Sequence, residues 1–259
     1  MIPAEFSGIA TQLLVWFVAM IRPGAAMLAA PVFGSAAVPL QVRIILSLAV
    51  GIPAATAASV TLPATGIVSV SGLLLVLSEV VLGLSLGFAL QIGFAAALVA
   101  GEAIGNAMGL GFASMQDPTS GHSSTAIGQF LNMLCTALFL AIGGHLALIE
   151  IVVTSFRTMP PGASWLTAAA LRGLVDFGGL MFAAGLSVAL PVAFTLIMVQ
   201  IVMGTITRSA PALNLFAVGI PATVLAGVVL LAAATPVMAA ALDHAIRLTL
   251  EQAQRLAGL

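Results

Sequence analysis

Apolar residues in this chain run on for longer than a soluble core needs. No charged residue lies between Arg43 and Glu79, between Asp176 and Arg208, or between Arg208 and Asp243. A helix that crosses a bilayer needs about 20 mostly apolar residues. Charges and Pro/Gly clusters mark out six such segments, at 9–32, 41–61, 66–112, 126–156, 174–206 and 213–241. The pattern predicts an all-α, polytopic membrane protein of about six hydrophobic helical segments. The third segment is too long for one span, is rich in Gly and carries Glu79 and Glu102. It is expected to be one long helix or a hairpin pair.

Composition narrows the function. Of 259 residues 61% are hydrophobic and 6% charged, against about 25% charged in a soluble domain. Such a chain cannot cover a folded surface with polar groups. An aqueous globular enzyme, a disordered protein and a nucleic-acid binder are all excluded on this ground. The seven basic residues are all Arg, and the net charge is −1, which leaves no polybasic membrane anchor. Cys135 is the single cysteine, so a packing role is expected for it, and no His/Cys cluster has metal-ligand spacing. No cofactor and no catalytic residue is expected. Glu5 stands where a secretory signal carries positive charge, and Arg22 follows the apolar run. The first helix is therefore expected to stay in the protein.

No tandem repeat or long linker divides the chain, so residues 1–259 are read as a single domain. From 242 the sequence holds Asp243, His244, Arg247, Glu251 and Arg255, the pattern of an amphipathic tail. With six spans, four Arg (157, 172, 247 and 255) share one side with the N-terminus, and the positive-inside bias places both termini in the cytoplasm.

Several residues stand out against this background. Gly93, Ala97, Gly101, Gly105 and Gly109 recur every fourth position, with Gly83 and Gly87 before them. Small residues at this spacing let helices approach closely in lipid, either within the chain or against other subunits. Gly83-Leu-Ser85-Leu-Gly87 matches a nucleophile motif but lacks the strand–turn–helix context it requires. Glu79, Glu102, Glu150 and Asp176 sit in or beside apolar helices, where an ionisable side chain needs a partner or water. His145 follows two glycines and reads as a core or interhelical histidine. The segment Gly109 to Pro118, with Gly111, Phe112, Met115, Gln116 and Asp117, sets small residues and two deformable apolar ones before the longest uncharged-polar stretch, 114–125. It is either a helix-end turn or a pore-facing loop, since irregular backbone at membrane depth survives only in protein or beside a cavity. Pro211 disfavours helix at Ala210; Arg208 can donate to the carbonyls freed there, and Asn214 can cap the next helix.

Five blocks in order carry a resemblance. They are Pro31-Val-Phe33-Gly34 with Val38-Pro39 and Arg43; Ala100-Gly101-Glu102 with Met108-Gly109; and Asp117-Pro118-Thr-Ser-Gly121. Next come Gly144-His145 with Ser155-Phe156 and Pro160-Pro161-Gly162, then Arg208-Ser-Ala-Pro211-Ala-Leu-Asn214-Leu-Phe216, extended by Gly219 and Pro221. Over roughly residues 22–221 the chain resembles the FliR/YscT/SpaR family of type III export-gate membrane proteins. The Gly-His and Ser-Phe-Pro-Pro-Gly features resemble its flagellar branch. Many relatives carry more basic residues than this Lys-free chain.

The resemblance implies a non-enzymatic subunit of the flagellar export gate, made of long helical hairpins in a hetero-oligomeric helical assembly. Its implied partners are FliP-like and FliQ-like membrane subunits, an FlhB-like switch protein, and unfolded rod, hook and filament proteins in transit. The implied place is the bacterial inner membrane, at the flagellar basal body. A plug across the pore is implied for Gly109, Gly111, Phe112, Met115, Gln116, Asp117 and Pro118. Arg43, Gly93, Gly101, Glu102, Gly105, Arg208, Pro211, Asn214 and Phe216 are the candidates for assembly and packing. The alternatives are an injectisome gate subunit of the YscT/SpaR type and a small secondary transporter. The transporter needs paired interrupted helices in two related halves, for which Pro53, Pro191 and Pro221 are the candidate breaks.

Overall fold

The computed structural model describes residues 4–58, 60, 62–63, 65–111, 124–162, 168–209 and 219–259. Eight α-helices and no strand occur among them. They are α1 (Ala4–Ala29), α2 (Leu40–Ala58), α3 (Val70–Ala107), α4 (Ala126–Ala141), α5 (Gly144–Thr158), α6 (Ala168–Phe177), α7 (Leu180–Ser209) and α8 (Ile220–Leu256). Each of the six apolar segments contains a helix among its described residues, so the all-α expectation holds.

The third segment is one helix of 38 residues, the first of the two forms expected for it. The segmentation differs in two places. The fourth breaks into α4 and α5 at Gly143, whose φ of 73° is left-handed and which caps α5. The tail from 242 is no separate element, because α8 runs on without interruption to Leu256. Among the described residues four helices are long and apolar enough to cross a membrane, or five if α4 and α5 together make one span. α2 is apolar but too short by that measure, which is why the count falls below six.

Prolines do not interrupt the helices as the transporter alternative needs. Pro53 and Pro191 lie inside continuous α2 and α7. Pro221 occupies the first turn of α8, where the missing N–H has no intrahelical acceptor to lose.

The chain divides into two compact units. The first comprises Met1–Ile92, Ile142–Gly178 and Arg247–Leu259. In it α1 packs on α2 and on α5. Glycines set the crossings. A Cβ on Gly51 would lie 2.4 Å from the Ala19 carbonyl oxygen, the one that Pro23 leaves without its i+4 donor. Cβ atoms on Gly83 and Gly87 would lie 2.3 Å from the carbonyl oxygens of Arg22 and Ala26. The turn after α1 holds Val32 at φ 69°, a left-handed conformation that is costly for a β-branched residue.

The second unit comprises Gly93–Ala141 and Gly179–Ile246. Its core includes Phe94 and Phe139, edge-to-face with ring centroids 5.6 Å apart. Gly185 of α7 sits against Ala96 and Val99 of α3.

Candidate functional site

The last turn of α3 precedes the segment that the sequence singles out. A helix leaves its final four carbonyls without intrahelical donors, and in an apolar surrounding each must find another. All four are satisfied here. Gly109, at φ 84°, donates its N–H to the Asn106 carbonyl at 3.0 Å, and Leu110 donates to the Gly105 carbonyl at 2.9 Å. This pair is the Schellman arrangement, which needs the left-handed residue that Gly supplies. The other two carbonyls are met by side chains from distant elements. Gln200 Nε2 of α7 donates to the Ala107 carbonyl at 2.6 Å, and Thr223 Oγ1 of α8 donates to the Met108 carbonyl at 3.1 Å. Met108 is buried and its side chain lies against Gly227 of α8, where a Cβ would come within 2.6 Å of it.

One turn earlier α3 meets the start of α4. A Cβ on Gly101 would lie 2.2 Å from the Gly128 Cα, and one on Gly105 would lie 2.9 Å from Thr125 Oγ1. Thr125 caps α4 by accepting the Gly128 N–H on its hydroxyl at 3.1 Å. In a capping box a Glu three residues into the helix accepts the N–H of the cap residue itself. Gly128 occupies that position and cannot. Glu102, from α3, takes the role: its Oε1 accepts the Thr125 N–H at 2.6 Å. A carboxylate placed at the N-terminus of α4 also suits the helix dipole.

In the first unit Arg22 and Glu79 are buried, 0% and 1% exposed, and form a two-pronged ion pair. Arg22 Nε donates to Glu79 Oε2 at 2.8 Å and Nη2 donates to Oε1 at 2.9 Å. Nη1 donates to Ser155 Oγ at 2.9 Å and Nη2 to the Met159 carbonyl at 2.8 Å. The guanidinium lies 4.3 Å from the Phe156 ring centre. One cation thus ties α1 and α3 to the carbonyl end of α5, where the helix dipole is negative. Thr158 of that end also donates to the Ala257 carbonyl at 2.5 Å.

This chain is similar to known export proteins along most of its length. Residues 13–249 match the family described as bacterial export proteins, family 1. The chain belongs to this family, which is that of FliR. It is 37% identical over 229 residues to the flagellar biosynthetic protein FliR of Pectobacterium carotovorum subsp. carotovorum, covering 88% of this chain and 87% of that one. It is 36% identical over 230 residues to FliR of Escherichia coli (strain K12), covering 89% and 87%. The similarity extends to FliR of Bacillus subtilis (strain 168), at 26% identity over 72% of this chain and 73% of that protein. The chain is a flagellar export-family protein with several membrane-compatible helices.

The candidate FliR-family site residues are distributed unevenly. Gly101, Glu102, Gly105 and Gly109 converge on the α3–α4 and α3–α8 contacts just described. Gly93 is buried, and Gly111 is half-buried close to the Asn106 side chain. Arg43 is half-buried, donating from Nη2 to the Ser35 carbonyl at 2.5 Å, while its Nε is buried with no hydrogen-bond partner among the described residues. Arg208 is exposed in the last turn of α7. Phe112, Met115, Gln116, Asp117, Pro118, Pro211, Asn214 and Phe216 lie outside the described residues.

Ser85 sits in mid-helix and donates to the Val81 carbonyl at 2.7 Å, far from the exposed elbow a nucleophile of that motif occupies. Cys135 is buried. Among the described residues no three His, Cys, Asp or Glu come together as a metal site would require. Gln200, Thr223, Thr125 and Ser155 were not legible as site residues. Each is an ordinary polar side chain whose meaning depends on which carbonyl or N–H lies opposite.

Proposed function

We propose that this chain is a non-enzymatic subunit of the flagellar type III export gate in the bacterial inner membrane, at the basal body. With FliP-like and FliQ-like subunits, and beside an FlhB-like switch protein, it builds the channel for unfolded rod, hook and filament proteins. The whole of 1–259 acts as one gate domain with its tail on the cytoplasmic side. The segment from Gly109 through Gly111, Phe112, Met115, Gln116, Asp117 and Pro118 closes the path at rest. Arg208, with Pro211, Asn214 and Phe216, fixes the connection between α7 and α8. Arg43, Gly93, Gly101, Glu102 and Gly105 serve packing and assembly.

Beyond family membership, the observation that supports this reading is the end of α3. Two of its last carbonyls are held from α7 and α8 at the point where the plug segment begins. A seal made of small residues and deformable apolar bulk needs a fixed root and needs no charged filter, because a dewetted apolar constriction holds ions back by itself.

The test is a deletion of five or so residues around Met115 in cells that carry the complete export machinery, with a matched deletion in the 157–170 loop. The first deletion should make the resting membrane leaky to small ions while assembly and part of export persist. Leakage from the second deletion alone would show that the seal lies elsewhere.

A further inference from the structure

We infer that Gln200 and Thr223 are positioning residues that latch the closed gate through the end of α3. The inference rests on the plug reading above and extends it to two residues outside the plug. The Schellman bonds of Gly109 and Leu110 are local and move with α3 itself. The bonds from Gln200 and Thr223 are different, because their donors stand on α7 and α8. They tie the last two carbonyls of α3 to α7 and α8, one turn beyond the point where Glu102 ties the helix to α4.

The two halves of the latch are unlike. Thr223 is buried and sits in the first turn of α8. Its hydroxyl is 3.1 Å from the Met108 carbonyl and 2.9 Å from that of Ile220. A hydroxyl has one proton. The Ile220 carbonyl faces the N–H four residues on, as in any helix, so the Met108 carbonyl is the one that depends on Thr223. Gln200 is exposed, so it is the half that can let go without repacking a core. If α3 swings away from both, the Ala107 and Met108 carbonyls are left without donors in an apolar setting, a state that is costly to occupy. The latch therefore holds the root of the plug segment in one direction and makes departure from it a discrete step.

The test uses full-length chains in cells with the complete export complex, reading resting ion leak together with recovery of the complex. Gln200→Met keeps length and removes the donor. Thr223→Val keeps shape and removes the hydroxyl, and Thr223→Ser restores it. Loss of either donor should raise the leak roughly fivefold, the factor expected for one such hydrogen bond, with the complex still recovered. Thr223→Ser should match the wild type. If the Met115 deletion leaks and the Gln200→Met and Thr223→Val complexes do not, the latch is overturned and the plug stands. If the latch variants leak and the deletion does not, the latch stands and another segment rooted at α3 forms the seal. A leak from Thr223→Ser equal to that of Thr223→Val overturns the hydroxyl's role. Should Thr223→Val fail to assemble, Gln200→Met at its exposed position decides alone, for or against.

Discussion

Arg22 shows how a charge is kept inside an apolar protein. Two charges withdrawn from water repay their desolvation only when geometry and further hydrogen bonds are good. Arg22 meets that condition with four hydrogen bonds and a stacked ring. Removing one partner leaves the other as an uncompensated buried charge, so Glu79→Leu should cost about 3–5 kcal/mol. Arg22→Lys should also be poorly tolerated, since an ammonium cannot present the fork or stack on Phe156. The double variant Arg22→Met with Glu79→Leu should recover part of the loss. The Ser155 oxygen and the Met159 carbonyl both lose their bonds from Arg22, but the Ser155 hydroxyl keeps its own bond to the Val152 carbonyl. Thermal stability of the purified complex measures all three. A double variant as unstable as the sum of the singles would show that the pair does not act as a unit.

At the scale of the element, α3 is a helix whose glycines have two different neighbours. Gly83 and Gly87 lie against α1, while Gly101 and Gly105 lie against the start of α4. Four glycines in a helix interior each cost roughly 0.5–1 kcal/mol relative to Ala, and close approach is what they provide in return. Gly101→Leu should block recovery of the assembled complex, because even a Cβ would meet the Gly128 backbone at 2.2 Å. Gly105→Ala should be milder, since the atoms it meets belong to the Thr125 side chain. Gly204→Ala in α7 is the contrast: among the described residues, nothing beyond its own stretch of helix lies within 4 Å of the new atom. It should be neutral or stabilise by up to about 1 kcal/mol. A complex that fails with Gly204→Ala and assembles with Gly101→Leu would reverse the assignment of which glycine sits at a tight contact.

At the scale of the molecule, the long helices are buried to very different degrees. Half of the most apolar stretch of α3 is buried inside the chain, against 22% for the span that contains α7 and 17% for α8. Phe182, Phe194, Leu225 and Val229 are each 60% exposed or more. At 1.5 Å per residue α3 and α8 are about 55 Å long, nearly twice the hydrocarbon core of a bilayer. Their apolar surface must therefore be covered by something besides the lipid core, and neighbouring subunits fit that need. Extraction from native flagellated membranes in mild detergent should bring the chain out in a large hetero-oligomer. Recovery as a lone, monodisperse chain would overturn the subunit reading.

The sequence by itself determined the helical class and the membrane-compatible segments, because both follow from local quantities: apolar run length, scarcity of charge and the positions of Gly and Pro. The ordered blocks from Pro31 to Pro221 were enough to point to the family. The glycine spacing in 93–109 announced close packing, but spacing is silent about the partner. Only the tertiary structure decided that Gly101 meets Gly128, that Glu102 caps a helix that begins 24 residues later, and that Arg22 chooses Glu79. The same holds for Gln200 and Thr223, which complete the end of α3 from 93 and 115 residues away. A hydrogen bond needs its donor within about 3 Å of its acceptor. Residues that far apart in the chain reach that distance only after the helices have packed.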